Sequence, residues 1–279
     1  MKARHRGYTL IELVVVISVS AIVMGFMAMF LAAPVHAYFA QERRTYLTDS
    51  ANSAMRAVEA DIRGALPESV RVLPVGANLA IEMLAVDTMA RYNPGTNPSD
   101  LNIGTPDSSF TTRGLLAPVG NLPSNAFLVV NNGVGGDAYA LVSNGKTPAG
   151  TTIQVAAGPN TASQAITFTP AVTFFTPSPT NRIYLVRQPI SYICDVGAGT
   201  LTKYSGYTID PLQANRATQA QLLGAGASMS IVARNLASCD FRVTPGAVNF
   251  GGIVRIRMNF VRDGETVRVF DQAQVESRP

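Results

Sequence analysis

A single carboxylate inside a long apolar run is the residue whose chemistry most needs a reason. Residues 10–33 hold 24 positions and one charge, Glu12. At ~1.5 Å per residue a helix of that length spans roughly 36 Å, enough for a ~30 Å hydrocarbon core. A carboxylate there costs up to ~2.5–3.5 kcal/mol at the helix centre, less near the end, and so requires a partner. Ahead of the run stand Lys2, Arg4 and Arg6, then Gly7, Tyr8 and Thr9. Two bland readings compete: a secretory signal ending at Ala32-Ala33, and a plain anchor. A secretory signal has an apolar core of only ~7–15 residues, and a plain anchor leaves Glu12 without a role. Elsewhere no catalytic set is legible. There is no Gly-x-Ser-x-Gly, no His-Glu-x-x-His and no Cys/His nucleophile pair, and the only histidine after the basic head is His36. Two cysteines and two histidines make no metal-ligand cluster, no Asp-x-Asp-x-Asp calcium loop occurs, and the glycine-rich stretch 131–137 lacks the trailing Lys-Ser/Thr of a phosphate loop. The expectation is no enzyme, no cofactor, no metal and no small-molecule substrate.

The basic head, Gly7, Tyr8-Thr9-Leu10-Ile11-Glu12-Leu13 and the spanning apolar run together resemble the class III signal of type IV prepilins and type II secretion pseudopilins. The resemblance implies cleavage by a prepilin peptidase after Gly7, N-methylation of Tyr8, and retention of the apolar helix. Glu12 then falls on the position the family uses for assembly. The chemistry is consistent with that. Gly7 shields its peptide bond with no side chain, and cleavage would create an α-amino cation beside Tyr8. That cation and Glu12 of a neighbouring subunit can pair in an apolar filament core, where unpaired charge is far costlier. Removing Lys2, Arg4 and Arg6 leaves 19 Lys+Arg (22 − 3) against 18 Asp+Glu, so the basic pI reports mostly the leader and does not point to nucleic acid. Those leader charges place the N-terminus in the cytoplasm and the bulk of the chain outside. In an exported chain the pair Cys194 and Cys239 reads as a disulfide, the alternative being two buried thiols.

The elements that must position this chemistry follow from pattern. Apolar residues at helical spacing continue through Val35, Tyr38, Tyr46, Ala51, Met55, Val58 and Ile62, which predicts one helix from about Thr9 to about Leu66, stopped by Pro67, with a kink or local melting at Pro34. The expected divisions are a leader at 1–7, a transmembrane half at 8–33, an amphipathic half at 34–67 and a β-rich globular domain at 68–279. Short β-prone runs are read at 69–73, 79–86, 126–131, 138–142, 152–155, 165–169, 182–187, 189–194, 200–207 and 237–243, and a short helix at 214–223. Asp263-Gly264 between two alternating runs is a strong hairpin signal. The expected fold is α+β, with an antiparallel sheet packed on the second half of the helix. Residues 87–125 are poor in periodicity and long for a structureless loop, so they are expected to hold short strands or helical turns whose places the pattern does not give, or a functional surface loop.

A second resemblance rests on scattered stretches: Ala65-Leu66-Pro67-Glu68-Ser69-Val70-Arg71-Val72, Ile190-Ser191-Tyr192 with Cys194, residues 201–207, Ala237-Ser238-Cys239-Asp240-Phe241 and the closing hairpin. These are similar to the MshO-type minor pilins of the mannose-sensitive haemagglutinin (MSHA) pilus, with the PilW-type minor pilins and the J-type pseudopilins as relatives. The resemblance implies other major and minor pilins and the inner membrane as partners. Three functions remain open at this level: a minor pilin, a secretion pseudopilin, or a binding module (an adhesin or DNA-uptake tip) that uses residues 87–146. Arg255, Arg257, Arg262 and Arg268 form a modest basic patch, readable as an anion contact or as the solvated face of an edge hairpin.

Overall fold

The computed structural model describes residues 9–133, 137–140, 145–244 and 252–275, without the side chains of residues 32, 33, 36 and 137. It is an α+β protein in which an N-terminal apolar helix runs into a domain of antiparallel strands. Helix α1 (Leu10–Arg63) starts at the Thr9 N-cap and ends at Gly64, whose N–H closes on Ala60 O while the next N–H, of Ala65, closes on Ile62 O. It therefore stops three residues before the expected end at Leu66, because Ala65 already pairs with Ala85 of the sheet. Of the expected kink or local melting at Pro34, the melting does not occur: the helix is unbroken there. A proline in a helix interior removes one hydrogen bond and leaves the flanking turns free to continue.

The strands are β1 (Arg71–Val75), β2 (Asn78–Tyr92), β3 (Asp107–Arg113), β4 (Gly120–Asn121), β5 (Phe127–Val129), β6 (Thr152–Ala157), β7 (Ser163–Val172), β8 (Arg182–Asp195), β9 (Thr200–Ser205), β10 (Ser228–Arg234), β11 (Leu236–Thr244), β12 (Ile253–Arg262) and β13 (Glu265–Gln274), with a short helix α2 (Gln219–Gly224) before β10. They form two sheets where one was expected. The larger has ten strands in the order β10-β9-β8-β2-β3-β7-β6-β4, with β1 on β2 and β5 on β8; the smaller is β11-β12-β13.

Strands β2 and β8 are the spine. The runs 182–187 and 189–194, read as two, are one strand through Pro189. Proline is tolerated there because β9 pairs only as far as Ile190 and β5 only from Val186, so no ladder on that side needs the missing N–H. The near half of the spine faces α1. Leu47, Ala51, Ala54, Val58 and Ile62 pack with Ile81, Met83 and Tyr192 of the larger sheet and Val254, Ile256, Met258 and Phe260 of the smaller. The far half carries a second core, in which Tyr92, Leu101, Phe110, Leu116, Phe168 and Phe174 are buried.

Two further expectations change. Residues 138–142 are not a strand: a 3-10 turn covers Asp137–Tyr139, and 141–142 lie outside the described residues. The helix at 214–223 is split into a 3-10 turn at Gln213–Arg216 and α2, whose N-cap Thr218 and Gln221 form a reciprocal capping box. Residues 87–125 contain the end of β2, then β3 and β4, as the expectation of short strands had it, and supply much of the far core.

Candidate assembly interface on the N-terminal helix

Chain geometry first: α1 enters the core only at Leu47. From Leu10 to Leu31 the helix is apolar and none of it is buried, with Leu10 83% and Phe30 87% exposed. It is long and apolar enough to cross a membrane, at ~33 Å for 22 residues. The exposure continues beyond it. Val35, Tyr38, Phe39 and Tyr46, expected to pack on the domain, stand in solvent, so the docked portion of the amphipathic half begins some thirteen residues later than the pattern implied. Tyr46 is at the exit, with the Arg262 guanidinium 5.0 Å above its ring.

Glu12 lies in the first helical turn and is exposed. Its backbone N–H donates to the Thr9 hydroxyl at 3.4 Å, and the first-turn N–H groups favour a negative charge there. Gly7 and Tyr8, the expected cleavage and methylation residues, lie outside the described residues. Pro34 sits in exposed helix. Cys194, at the end of β8, and Cys239 of β11 are joined as a disulfide that ties the larger sheet to the smaller.

Several residues that hold the helix in place were invisible to sequence reasoning. Asp61 on α1 accepts a hydrogen bond from the Tyr192 hydroxyl at 2.5 Å and pairs with Lys203 Nζ at 2.5 Å. Burial, then the Asp61 carboxylate, pushes the Tyr192 phenol well above its ordinary range. Glu82 is fully buried. It pairs with Arg71 at 2.7 Å and accepts from the Tyr207 hydroxyl at 3.0 Å, and Tyr207 in turn meets Ser191 at 2.6 Å. Burial raises the Glu82 carboxyl above its ordinary value, and Arg71 opposes the rise. The Arg71 guanidinium also donates to the carbonyls of Asp210 and Pro211 and lies 3.6 Å from the Tyr139 ring centre, so it closes the loop after β9 onto the β1–β2 hairpin. One signal was available: a glutamate inside the apolar run 79–86 must be either at a sheet face or paired. Among the described residues no group of three or more His, Cys, Asp or Glu is placed to hold a metal. What this arrangement offers is a rigid head on a long apolar stem with one carboxylate near its end.

Residues 2–28 match the family described as the prokaryotic N-terminal methylation motif, which is 27 of the 279 residues. The chain thus carries the class III signal of type IV pilin-like proteins, which implies processing by a prepilin peptidase and assembly with other pilins. Proteins with this motif are structural and typically non-enzymatic, and the exposed apolar helix fits a membrane-anchored protein of that kind. No curated protein and no solved structure matches the chain.

Proposed function

We propose that this chain is a non-catalytic minor pilin of an MSHA-like type IV pilus that helps initiate or cap the filament. The observation that carries the reading is the methylation motif running directly into a helix whose apolar half is wholly exposed and whose other half is locked into the domain. On this reading residues 1–7 are removed after Gly7, Tyr8 is N-methylated, and the chain waits in the inner membrane with its N-terminus cytoplasmic and its bulk periplasmic. On assembly, α1 leaves the lipid for the filament core and Glu12 pairs with the new α-amino group of a neighbour. The exposed Val35, Tyr38, Phe39 and Tyr46 extend the stem's sticky surface past the span, which suits packing against other helices better than life in solvent. The large head, about four fifths of the chain, supports a minor rather than a repeating subunit.

Intact mass and N-terminal sequence of protein from host membranes test the first step. The expected chain starts at N-methylated Tyr8; a start at Met1 or after Ala33 would remove the proposal. Glu12→Ala should leave membrane insertion intact and abolish incorporation into filaments, and unchanged incorporation would refute the pairing. Pull-down with filament subunits, against secretion-tip subunits, separates this reading from a J-type pseudopilin.

A further inference from the structure

The smaller sheet ends in β13, along whose inner face α1 packs, and among the described residues no strand pairs with its outer side. Strand β13 pairs only with β12, through ten residues in unbroken register. Other exposed edges are short or irregular: β4 has two residues, β1 has five with Pro74 among them, and β10 and β11 each carry a register shift. Shortness, proline and bulges are the usual protections against unwanted strand pairing. Strand β13 has none of these three; its remaining protection is the charge of Arg268 and of Arg255 and Arg257 on the same face of β12.

The hairpin register shows which atoms are open. Asp263-Gly264 is a two-residue turn with φ of 49° and 85°, so its flanking pair Arg262 and Glu265 exchanges both hydrogen bonds. Odd-numbered residues of β13 therefore bond to β12, and even-numbered ones, from Thr266 to Gln274, turn their N–H and C=O groups outward. Among the described residues these outward groups have one partner, the Gln272 N–H donating to Asp271 Oδ1 at 2.7 Å. The side chains of the same even-numbered residues are exposed, including Phe270 at 58%. Arg268, two residues before it, and Arg257, directly across from it, make no ion pair among the described residues. On the other face Val267 and Val269 reach the core yet stay half-buried.

We propose that the free edge of β13 docks an extended segment of another protein as an added strand, with an acidic residue opposite Arg268 and an apolar one opposite Phe270. Backbone pairing supplies the affinity and the alternate side chains the selectivity. An acidic side chain answers the arginines, an apolar one covers the ring, and the strand's other face finishes burying Val267 and Val269. A second copy of this chain does not fit, an argument that rests on the membrane-anchored reading. The β12–β13 turn lies beside Tyr46, where the stem leaves the domain. Pairing two β13 strands about a two-fold axis would put the two stems at opposite ends of the joined sheet, which chains anchored in one membrane cannot do.

The test uses the full chain in detergent micelles and a fluorescein-labelled peptide, Thr-Val-Glu-Val-Leu-Val-Glu-Val-Thr-Lys, whose Glu-x-Leu-x-Glu core suits either strand direction. Fluorescence polarisation should give saturable binding at least tenfold tighter than for the same peptide with both glutamates replaced by lysine. Arg268→Glu should reverse that preference. Thr266→Pro removes an outward N–H without touching the β12 ladder, and should weaken binding at least tenfold with thermal unfolding unchanged; Phe270→Ser is the second variant if it does not. Hydrogen exchange at the outward amides of Thr266, Arg268 and Phe270 should slow on binding. Absence of saturable binding, equal binding of the two peptides, or self-association that displaces the peptide would overturn the proposal. None of these outcomes bears on processing at Gly7, so the two readings fail separately.

Discussion

Replacing Cys194 and Cys239 together by alanine should remove about 4 kcal/mol of stability. The bond closes a loop with a sequence separation of 45. In the chain-entropy treatment a loop of that size restrains the unfolded chain by about 13–14 cal/mol/K, or about 4 kcal/mol at 25 °C. Native packing works in the same direction, since Cys194 is fully buried among α1, β2 and β11 and the bond is the one cross-link between the two sheets besides the backbone that runs from β10 through Asn235 into β11. With a urea m-value of about 2–3 kcal/mol/M, the midpoint should fall by about 1.3–2 M. The assay is urea unfolding of the full chain in detergent, followed by circular dichroism, for oxidised wild type, dithiothreitol-reduced wild type and the double variant. Reduced wild type separates the loss of the cross-link from the loss of two sulfur side chains. Hydrogen exchange should then show the smaller sheet opening before the far core of Tyr92, Phe110 and Phe174. A midpoint shift under about 0.3 M would refute the reasoning, because it would mean that the helix already holds the two sheets together without the bond.

Three other outcomes follow from the core and its polar nodes. Arg71→Ala strips a fully buried carboxylate of its counter-ion and should cost about 3–5 kcal/mol at pH 7. Glu82 is held above its ordinary 4.5, so the folded state binds its proton more tightly than the unfolded chain does. The stability from this group is complete below pH 4.5 and is lost as pH rises through the folded-state value, so the deficit of Arg71→Ala should shrink on acidification, as thermal melts across pH 4–7 would show. Tyr192→Phe removes the hydroxyl that joins β8 to Asp61 and should lower stability by about 1–2 kcal/mol, measurable by urea titration. Ile62→Ala in the docked half of α1 should cost about 2–5 kcal/mol, whereas Tyr38→Ala in the stem should change unfolding by under about 0.5 kcal/mol while impairing any helix-packing assay.

Legibility in the chain tracked the range of the forces involved. The spanning run, the lone Glu12, the Asp263-Gly264 hairpin and the alternation of Val254, Ile256, Met258 and Phe260 are local patterns, and the structure places each as read. Strand β3 was not legible because Asp107-Ser108-Ser109-Phe110-Thr111-Thr112-Arg113 has almost no apolar alternation; it is a strand because β7 supplies its ladder and its side chains bond nearby backbone, as when Thr112 Oγ1 donates to Gly114 O. Strand β10 was missed for the same reason, being exposed over five of its seven residues. The span of β8 was broken at Pro189 in the reading because proline's cost depends on whether a neighbour needs its N–H, and the neighbours come from residues 127–129 and 200–205.

By itself, then, the sequence determined the anchoring helix, its single carboxylate and the methylation motif, because a membrane span needs nothing but its own residues to satisfy its backbone. Tertiary structure alone decided where that helix stops being stem and becomes core, at Leu47 and not at Pro34, because the apolar periodicity is the same on both sides and only the two sheets' reach ends it. It also decided that β13 closes the smaller sheet with its outer ladder unpaired among the described residues, since an edge is defined by the strand that fails to arrive.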